Sequence, residues 1–119
     1  MHLSTRHIGD VSIIDVAGKN PGDRSVSIRE EVDRLHATGH TRIVLNLAEL
    51  EYLDSSGLGE LVSCTMNAAQ LGRPLKVAAM TRRLSGMLRV MRLASTFDIY
   101  ETVDAAVASY PPAPAQPAS

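Results

Sequence analysis

Asp54-Ser55-Ser56-Gly57-Leu58-Gly59 is the stretch on which the reading of this chain turns. An apolar run, Ile43-Val44-Leu45-Asn46-Leu47, leads toward it, and Leu50, Tyr52 and Leu53 carry the chain on through an irregular segment to Asp54. Beyond it, Leu58, Leu61, Val62, Thr65, Ala68 and Ala69 recur at helical spacing toward Leu71, with Glu60, Ser63, Asn67 and Gln70 largely off that face. A carboxylate, two hydroxyls and two glycines therefore meet at a loop-to-helix junction. Such a junction exposes backbone N–H groups and the positive end of the helix dipole. It suits a phosphate, held as a ligand or attached covalently. A well-capped helix with no further role is the simpler reading.

Working outward, Leu3 to Ile8 and Val11 to Val16 read as two short strands around the turn-forming pair Gly9-Asp10. Asp15 interrupts the second apolar run, which places one of its faces in water or at an edge. Gly18 to Asp23 is a loop by composition. Ser25 or Ser27 can cap a helix whose apolar positions are Ile28, Val32 and Leu35, with Gly39 as its stop. The run Ile43 to Leu47 predicts a strand covered on both faces. Gly72-Arg73-Pro74 ends the long helix, and Leu75, Val77 and Ala79 form the next strand. Arg82 to Leu93 reads as a helix with Leu84, Met87, Leu88 and Met91 at core spacing. Phe97, Ile99 and Tyr100 make a last strand, and Thr102 caps a final helix carrying Val103, Ala106 and Val107. Residues 111–119, rich in Pro and Ala, read as a flexible tail after a single domain spanning 1–110. The order β-β-α-β-α-β-α-β-α predicts an α/β fold: a small, mostly parallel mixed sheet with an N-terminal antiparallel hairpin and about four covering helices.

Composition narrows the function. Aromatics are 3% of the 119 residues and the formal net charge is −1, so base stacking and general attraction to nucleic acid or anionic lipid are disfavoured. The one cysteine, Cys64, excludes an internal disulfide and a cysteine-cluster metal site, and its place in the long helix predicts a buried, inert thiol. Asp98 and Glu101 form no evident metal cluster. No apolar run approaches the roughly 20 residues of a membrane span, and the N-terminus lacks a signal-peptide core. A cytoplasmic protein is expected, without cofactor or metal.

The chemistry of the central stretch separates by residue. Asp54 suits an N-cap, accepting from the N–H of Ser56 or Gly57. Glycines inside a helix cost about 0.8–1 kcal/mol each relative to Ala, so Gly57 and Gly59 imply that a neighbouring strand or a docking partner comes close. A phosphate on Ser55 would meet the stabilising dipole and the repelling Asp54 carboxylate together, leaving the fold little changed. A partner packed on that surface would meet a bulky dianion, at a cost of several kcal/mol.

Enzyme readings fare worse. Neither serine has the Gly-x-Ser-x-Gly elbow, and His2, His7, His36 and His40 all precede the motif and read mostly as surface histidines. Gly57-Leu58-Gly59-Glu60 lacks the Lys-Ser/Thr ending of a P-loop. Arg82, Arg83, Arg89 and Arg92 give the third helix a basic side, read as a solvated face or as a contact for an acidic partner. Met80, Met87 and Met91 read as core fillers.

Leu45-Asn46-Leu47 followed by Leu53-Asp54-Ser55-Ser56-Gly57-Leu58-Gly59 resembles the signature of STAS domains. More narrowly, it resembles bacterial anti-sigma factor antagonists, or anti-anti-sigma factors. Gly18, Arg42-Ile43-Val44-Leu45 and Phe97-Asp98-Ile99-Tyr100 extend the likeness over most of residues 3–110. The resemblance implies a SpoIIaa-like fold and a partner switch without catalysis by this chain. The unphosphorylated protein would bind an anti-sigma factor serine kinase and release a sigma factor. Phosphorylation of Ser55, or less favourably Ser56, would end binding, and a serine phosphatase would restore it. Asp54, Ser55, Ser56, Gly57, Leu58 and Gly59, with Asn20 and Asp23 of the neighbouring loop, are the implied partner-binding residues, in a monomer or weak homodimer that binds no nucleic acid and no membrane. The chain departs from the family where Gly18-Lys19-Asn20-Pro21 replaces Gly-x-(Leu/Ile/Val)-Asp, and where Arg92 replaces a frequent Gly ahead of Leu93. A scaffold or accessory subunit of a stress-signalling complex or transporter, working without a phospho-switch, is the second implied role.

Overall fold

The computed structural model describes residues 2–18, 27–51 and 53–110. Strands β1 (His2–Ile8) and β2 (Val11–Gly18) form the expected antiparallel hairpin, pairing Ile8 with Val11 across the turn. Strands β3 (Arg42–Leu50), β4 (Leu75–Ala78) and β5 (Asp98–Tyr100) then add in parallel, so that the order in the sheet equals the order in the chain. Each parallel step runs through a helix: α1 (Ile28–Ala37), α2 (Ser55–Gln70) and α3 (Arg82–Val90). Right-handed crossovers that always advance the same way across a sheet must leave their helices on one face. The core agrees, since α1, α2 and α3 bury Leu35, Leu61 and Leu88 with Ile14, Ile43, Leu45 and Leu47 in one cluster. Helix α4 (Val103–Ser109) covers the other face, over Val11, Ile13, Val44 and Ala78.

Seven residues of helix cannot cover a five-stranded sheet. Beyond α4, the second face is therefore polar. Arg6 donates from Nε to Asp15 Oδ2 at 2.8 Å, and Asn46 Nδ2 donates to Asp15 Oδ1 at 2.7 Å. Burial pushes the Asp15 carboxyl up, but the hydrogen bonds from Arg6 and Asn46 outweigh it and hold the group below its ordinary range. This is the wet face that Asp15 announced. It also corrects the expectation for β3, which is covered on both faces only around Val44; Asn46 turns into the polar network.

The helix starts follow one design. Ser27, Asp54, Thr81 and Thr102 each accept from the backbone N–H three residues on. Thr81 had not been singled out in the sequence. The helix ends also share a design: in α1 and α2 the chain turns back through Gly39 and Gly72 at positive φ. Helix α3 ends the same way but with Arg92 at φ 58°. Leu93 N–H donates to Leu88 O at 2.8 Å and Arg92 N–H to Arg89 O at 3.1 Å, the double bond of a Schellman ending.

That ending shortens α3 relative to the expected Arg82–Leu93. It carries Met91 out of the core to 50% exposure, and a 3-10 turn (Ala94–Thr96) follows. Met80 and Met87 do pack against the core. Phe97 is buried just before β5, whereas Ile99 within it is 42% exposed. Arg82, Arg83, Arg89 and Arg92 are all exposed. Gly18, expected to open the loop Gly18–Asp23, ends β2; the rest of that loop, with Asn20 and Asp23, and the tail expected at 111–119 lie outside the described residues.

A left-handed conformation costs a residue with a Cβ about 1 kcal/mol or more. Arg92→Gly should therefore stabilise the fold by about 1 kcal/mol, read as a higher urea midpoint at unchanged slope.

Candidate functional site

The site is delivered by β3. Between Asp15 and Ala17 the β2–β3 register shifts by one residue, and the Asn46 side-chain oxygen accepts the Ala48 N–H at 3.2 Å within the bulge. The strand then runs to Leu50, which is fully buried, and Leu53 anchors the irregular segment at 9% exposure. Two buried leucines thus clamp the chain immediately before Asp54. The Asp54 carboxylate accepts from Gly57 N–H at 2.7 Å, one of the two bonds anticipated, and its carbonyl accepts from Leu58 N–H at 2.8 Å. Ser55 and Ser56 open α2 and are both exposed.

The two glycines separate. A Cβ on Gly57 would stand 2.7 Å from Leu53 Cδ1 and 3.4 Å from Asp54 Oδ1. A side chain at Gly57 would therefore have to displace the end of the buried Leu53. A Cβ on Gly59 would meet nothing within 4 Å. Among the described residues, packing gives no reason for Gly59, which leaves the outer surface of α2 bare one turn after Ser55.

That surface forms a groove of about 620 Å³. Ser55, Gly59, Ser63, Asn67 and Gln70 line it along α2, Arg29 closes it from α1, and Met91 and Leu93 wall it from the far side. Its apolar lining includes Val62 and Met66, the latter 53% exposed. Exposed methionines adapt their unbranched side chains to many shapes, which suits a docking surface. The base of the groove is tied across two helices. Glu60 accepts from Ser27 Oγ and from the Arg29 N–H at 3.1 Å, and Arg29 Nη1 donates to Ser63 Oγ at 3.3 Å. Cys64 lies beneath, 3% exposed, with burial pushing its thiol up to about 11.

Of the anticipated partner-binding residues, Asp54, Ser55, Ser56 and Gly59 share the accessible start of α2. Leu58, 5% exposed, packs in the core and also lines the groove, and Gly57 is half-buried against Leu53. Met66, Met91, Leu93 and Arg29 also line the groove and were not anticipated there. Part of that signal was legible, because Ser55, Gly59, Met66 and Gln70 recur at helical spacing along one side of α2, with Val62 at the edge of the core. The contributions from α1 and the end of α3 come from distant sequence and carry no such periodicity.

Fold and site together define a small α/β domain that presents a serine-bearing helix start beside an apolar groove. The chain matches the family described as Mlab, STAS domain, over residues 3–101, and it belongs to the STAS domain family. Solved structures share its fold at low identity. An anti-sigma factor antagonist from Mycobacterium paratuberculosis matches with a TM-score of 0.75 at 20% identity, covering 91% of this chain and 92% of that one. RsbS from Moorella thermoacetica matches with a TM-score of 0.74 at 15% identity, over 91% and 93% of the two chains. Phosphorylated SpoIIAA from Bacillus matches with a TM-score of 0.64 at 14% identity, over 92% and 100%. Among the described residues no helix is long and apolar enough to cross a membrane.

The glycine assignment has opposite consequences at neighbouring positions. Gly59→Ala should raise stability by about 0.8–1 kcal/mol through helix propensity. Gly57→Ala should lower it by about 1 kcal/mol, because displacing a buried Leu53 outweighs the same propensity gain. Asp54→Ala should cost about 0.5–2 kcal/mol as a lost cap. Urea unfolding of the three variants beside the parent protein measures all of these.

Proposed function

We propose that this chain is an anti-sigma factor antagonist that works as a cytoplasmic partner switch. Unphosphorylated, it binds an anti-sigma factor serine kinase through the start of α2 and the adjoining groove, and so frees a sigma factor. The kinase then transfers the γ-phosphoryl group of ATP to Ser55: the Oγ–H proton leaves, the Oγ–P bond forms and ADP departs. The phosphoprotein no longer docks, and a serine phosphatase returns it by hydrolysis. The chain contributes a rigid, exposed acceptor and no catalytic group of its own.

The observation that carries this reading is the exposed Ser55 hydroxyl on the first residue of a capped helix, at the mouth of an apolar groove. The flanking geometry supports a switch that acts at the interface. Leu50 and Leu53 are buried and the Asp54 cap is made by a neighbouring backbone N–H, so a phosphate on Ser55 disturbs none of the packing that holds the turn. The dianion instead faces the partner, where like-charge contact or an undocked apolar patch costs several kcal/mol. A loss of about 4 kcal/mol is roughly a thousandfold in affinity. Ser56 is the second acceptor, one residue further along the same exposed turn.

The match to the Mlab STAS domain favours one further reading, because that description names no antagonist role. In it the same groove is a lasting interface, and the chain is a scaffold or an accessory subunit of a signalling complex or transporter.

Incubation with serine kinases encoded beside this gene, followed by mass spectrometry, should place phosphate on Ser55 and none on a Ser55→Ala variant. Ser55→Asp should keep the unfolding midpoint within about 0.5 kcal/mol of the parent and weaken kinase binding at least tenfold, measured by calorimetry. Absence of phosphate on Ser55 and Ser56 with every cognate kinase, together with a complex that Ser55→Asp leaves intact, would reject the switch in favour of the lasting interface.

A further inference from the structure

We propose that Arg29 is the residue that receives the Ser55 phosphate, leaving Ser63 to do so; this rests on the reading of Ser55 as the acceptor. Arg29 and Ser55 line the same groove from different helices. The backbone of Arg29 is anchored, since its N–H donates to Glu60 Oε1 at 3.1 Å. Its guanidinium is not. That group is half-exposed and rests on two weak partners, the neutral Ser63 hydroxyl at 3.3 Å and Asp33 at 4.0 Å. An exposed ion pair of that kind holds a side chain only loosely.

Ser55, Gly59 and Ser63 succeed one another at four-residue spacing on the same face of α2, about 6 Å of rise apiece. Gly59 presents no side chain, and among the described residues no atom lies within 4 Å of the place its Cβ would take. The anchor at Glu60 lies between the two serines along the helix. The guanidinium therefore swings about a fixed Cα, across the bare Gly59, with no backbone motion. At Ser55 it meets a dianion with three acceptor oxygens, which a planar guanidinium fork engages with two N–H groups at once. The Ser63 hydroxyl offers neither charge nor a second acceptor.

The consequence is a second element of the switch. Besides adding charge, phosphorylation lays an ion pair across Gly59 and roofs the near end of the apolar groove. The same geometry explains why a glycine costly to helix stability stands between the two serines. The carboxylates nearby oppose the phosphate: Asp54 is its sequence neighbour, Glu60 lies just over one turn away, and Asp33 competes for the guanidinium. Among the described residues that line the groove, Arg29 is the cation.

The test needs no kinase. Phosphoserine is installed at position 55 during translation of the full chain, and its second ionisation is followed by 31P NMR from pH 4 to pH 8. With Arg29 present, the phosphate should titrate about half a unit lower than in Arg29→Gln, because the cation favours the dianion. Arg29→Lys should fall between them, retaining charge without the fork. Ser63→Ala should leave the low value in place, which separates Arg29 from a general loosening of the groove. Far-UV circular dichroism confirms that each variant is folded. Equal phosphate titration in the parent and in folded Arg29→Gln would overturn the assignment. So would a low value that persists when Arg29 is replaced by Gln and rises instead with Ser63→Ala. Failure of every kinase to modify Ser55 would count against the acceptor reading alone, since the titration is independent of it.

Discussion

The row Ile43, Leu45, Leu47 and Leu50 on β3, fully buried beneath α1, α2 and α3, is the interaction on which this structure depends. Truncating one such side chain to Ala costs about 2–5 kcal/mol, a large part of the stability of a domain this size. The row does more than hold the sheet. Side chains alternate along a strand, so a slip of one residue would turn all of these leucines outward. Register is therefore enforced, and with it the place where β3 ends. Leu53 extends the anchoring past the strand, and the cap at Asp54 follows as the next residue. The accessible serine owes its position to a buried row that it does not touch.

Around that row the molecule divides its labour by face. Three right-handed crossovers put three helices on one side, and this side holds most of the core. The short α4 seals only the middle of the other side, where Ala106 meets Val11, Ile13, Val44 and Ala78. Charged pairs occupy the remainder. Arg6, Asp15 and Asn46 hold one end, and Lys76 reaches Asp98 at 3.0 Å and the Tyr100 hydroxyl at 2.9 Å at the other. Lys76 also lies 4.7 Å from the Tyr110 ring centre. Burial pushes the Tyr110 hydroxyl up to about 12, and it stays protonated to donate to Ile43 O.

The helix bearing the site accepts local costs that the fold does not require. Gly57 is there because Leu53 packs against it, so its conformational cost is recovered in the core. Among the described residues Gly59 has no such contact. An exposed Met66, an exposed Met91 and a bare Gly59 lie along one groove. The Ser27–Glu60–Arg29 bonds connect this surface to the start of α1, so that the residues entering α1 are held against the second turn of α2.

Local chemistry determined much of this from sequence alone. Alternation and helical spacing read out the five strands and four helices in order, and Asp54, Ser27 and Thr102 announced their caps, because a cap is a contact over three residues. The Asp15 interruption foretold a wet face for the same reason: one residue of strand pattern suffices. What pattern could not decide was where elements from distant sequence meet. Met91 has core spacing in the expected helix Arg82–Leu93, yet Arg92 adopts a left-handed turn that ends the helix at Val90 and turns Met91 outward. Leu58 stands inside the motif, yet packing claims it for the core. Gly57 and Gly59 look alike on paper, and only the position of the Leu53 side chain tells them apart. Arg29 lies more than twenty residues before Ser55 and reaches its groove because α1 and α2 pack side by side. Hydrophobic period and capping are properties of a few neighbouring residues; the groove is a property of three helices, and only their packing on the sheet brings its walls together.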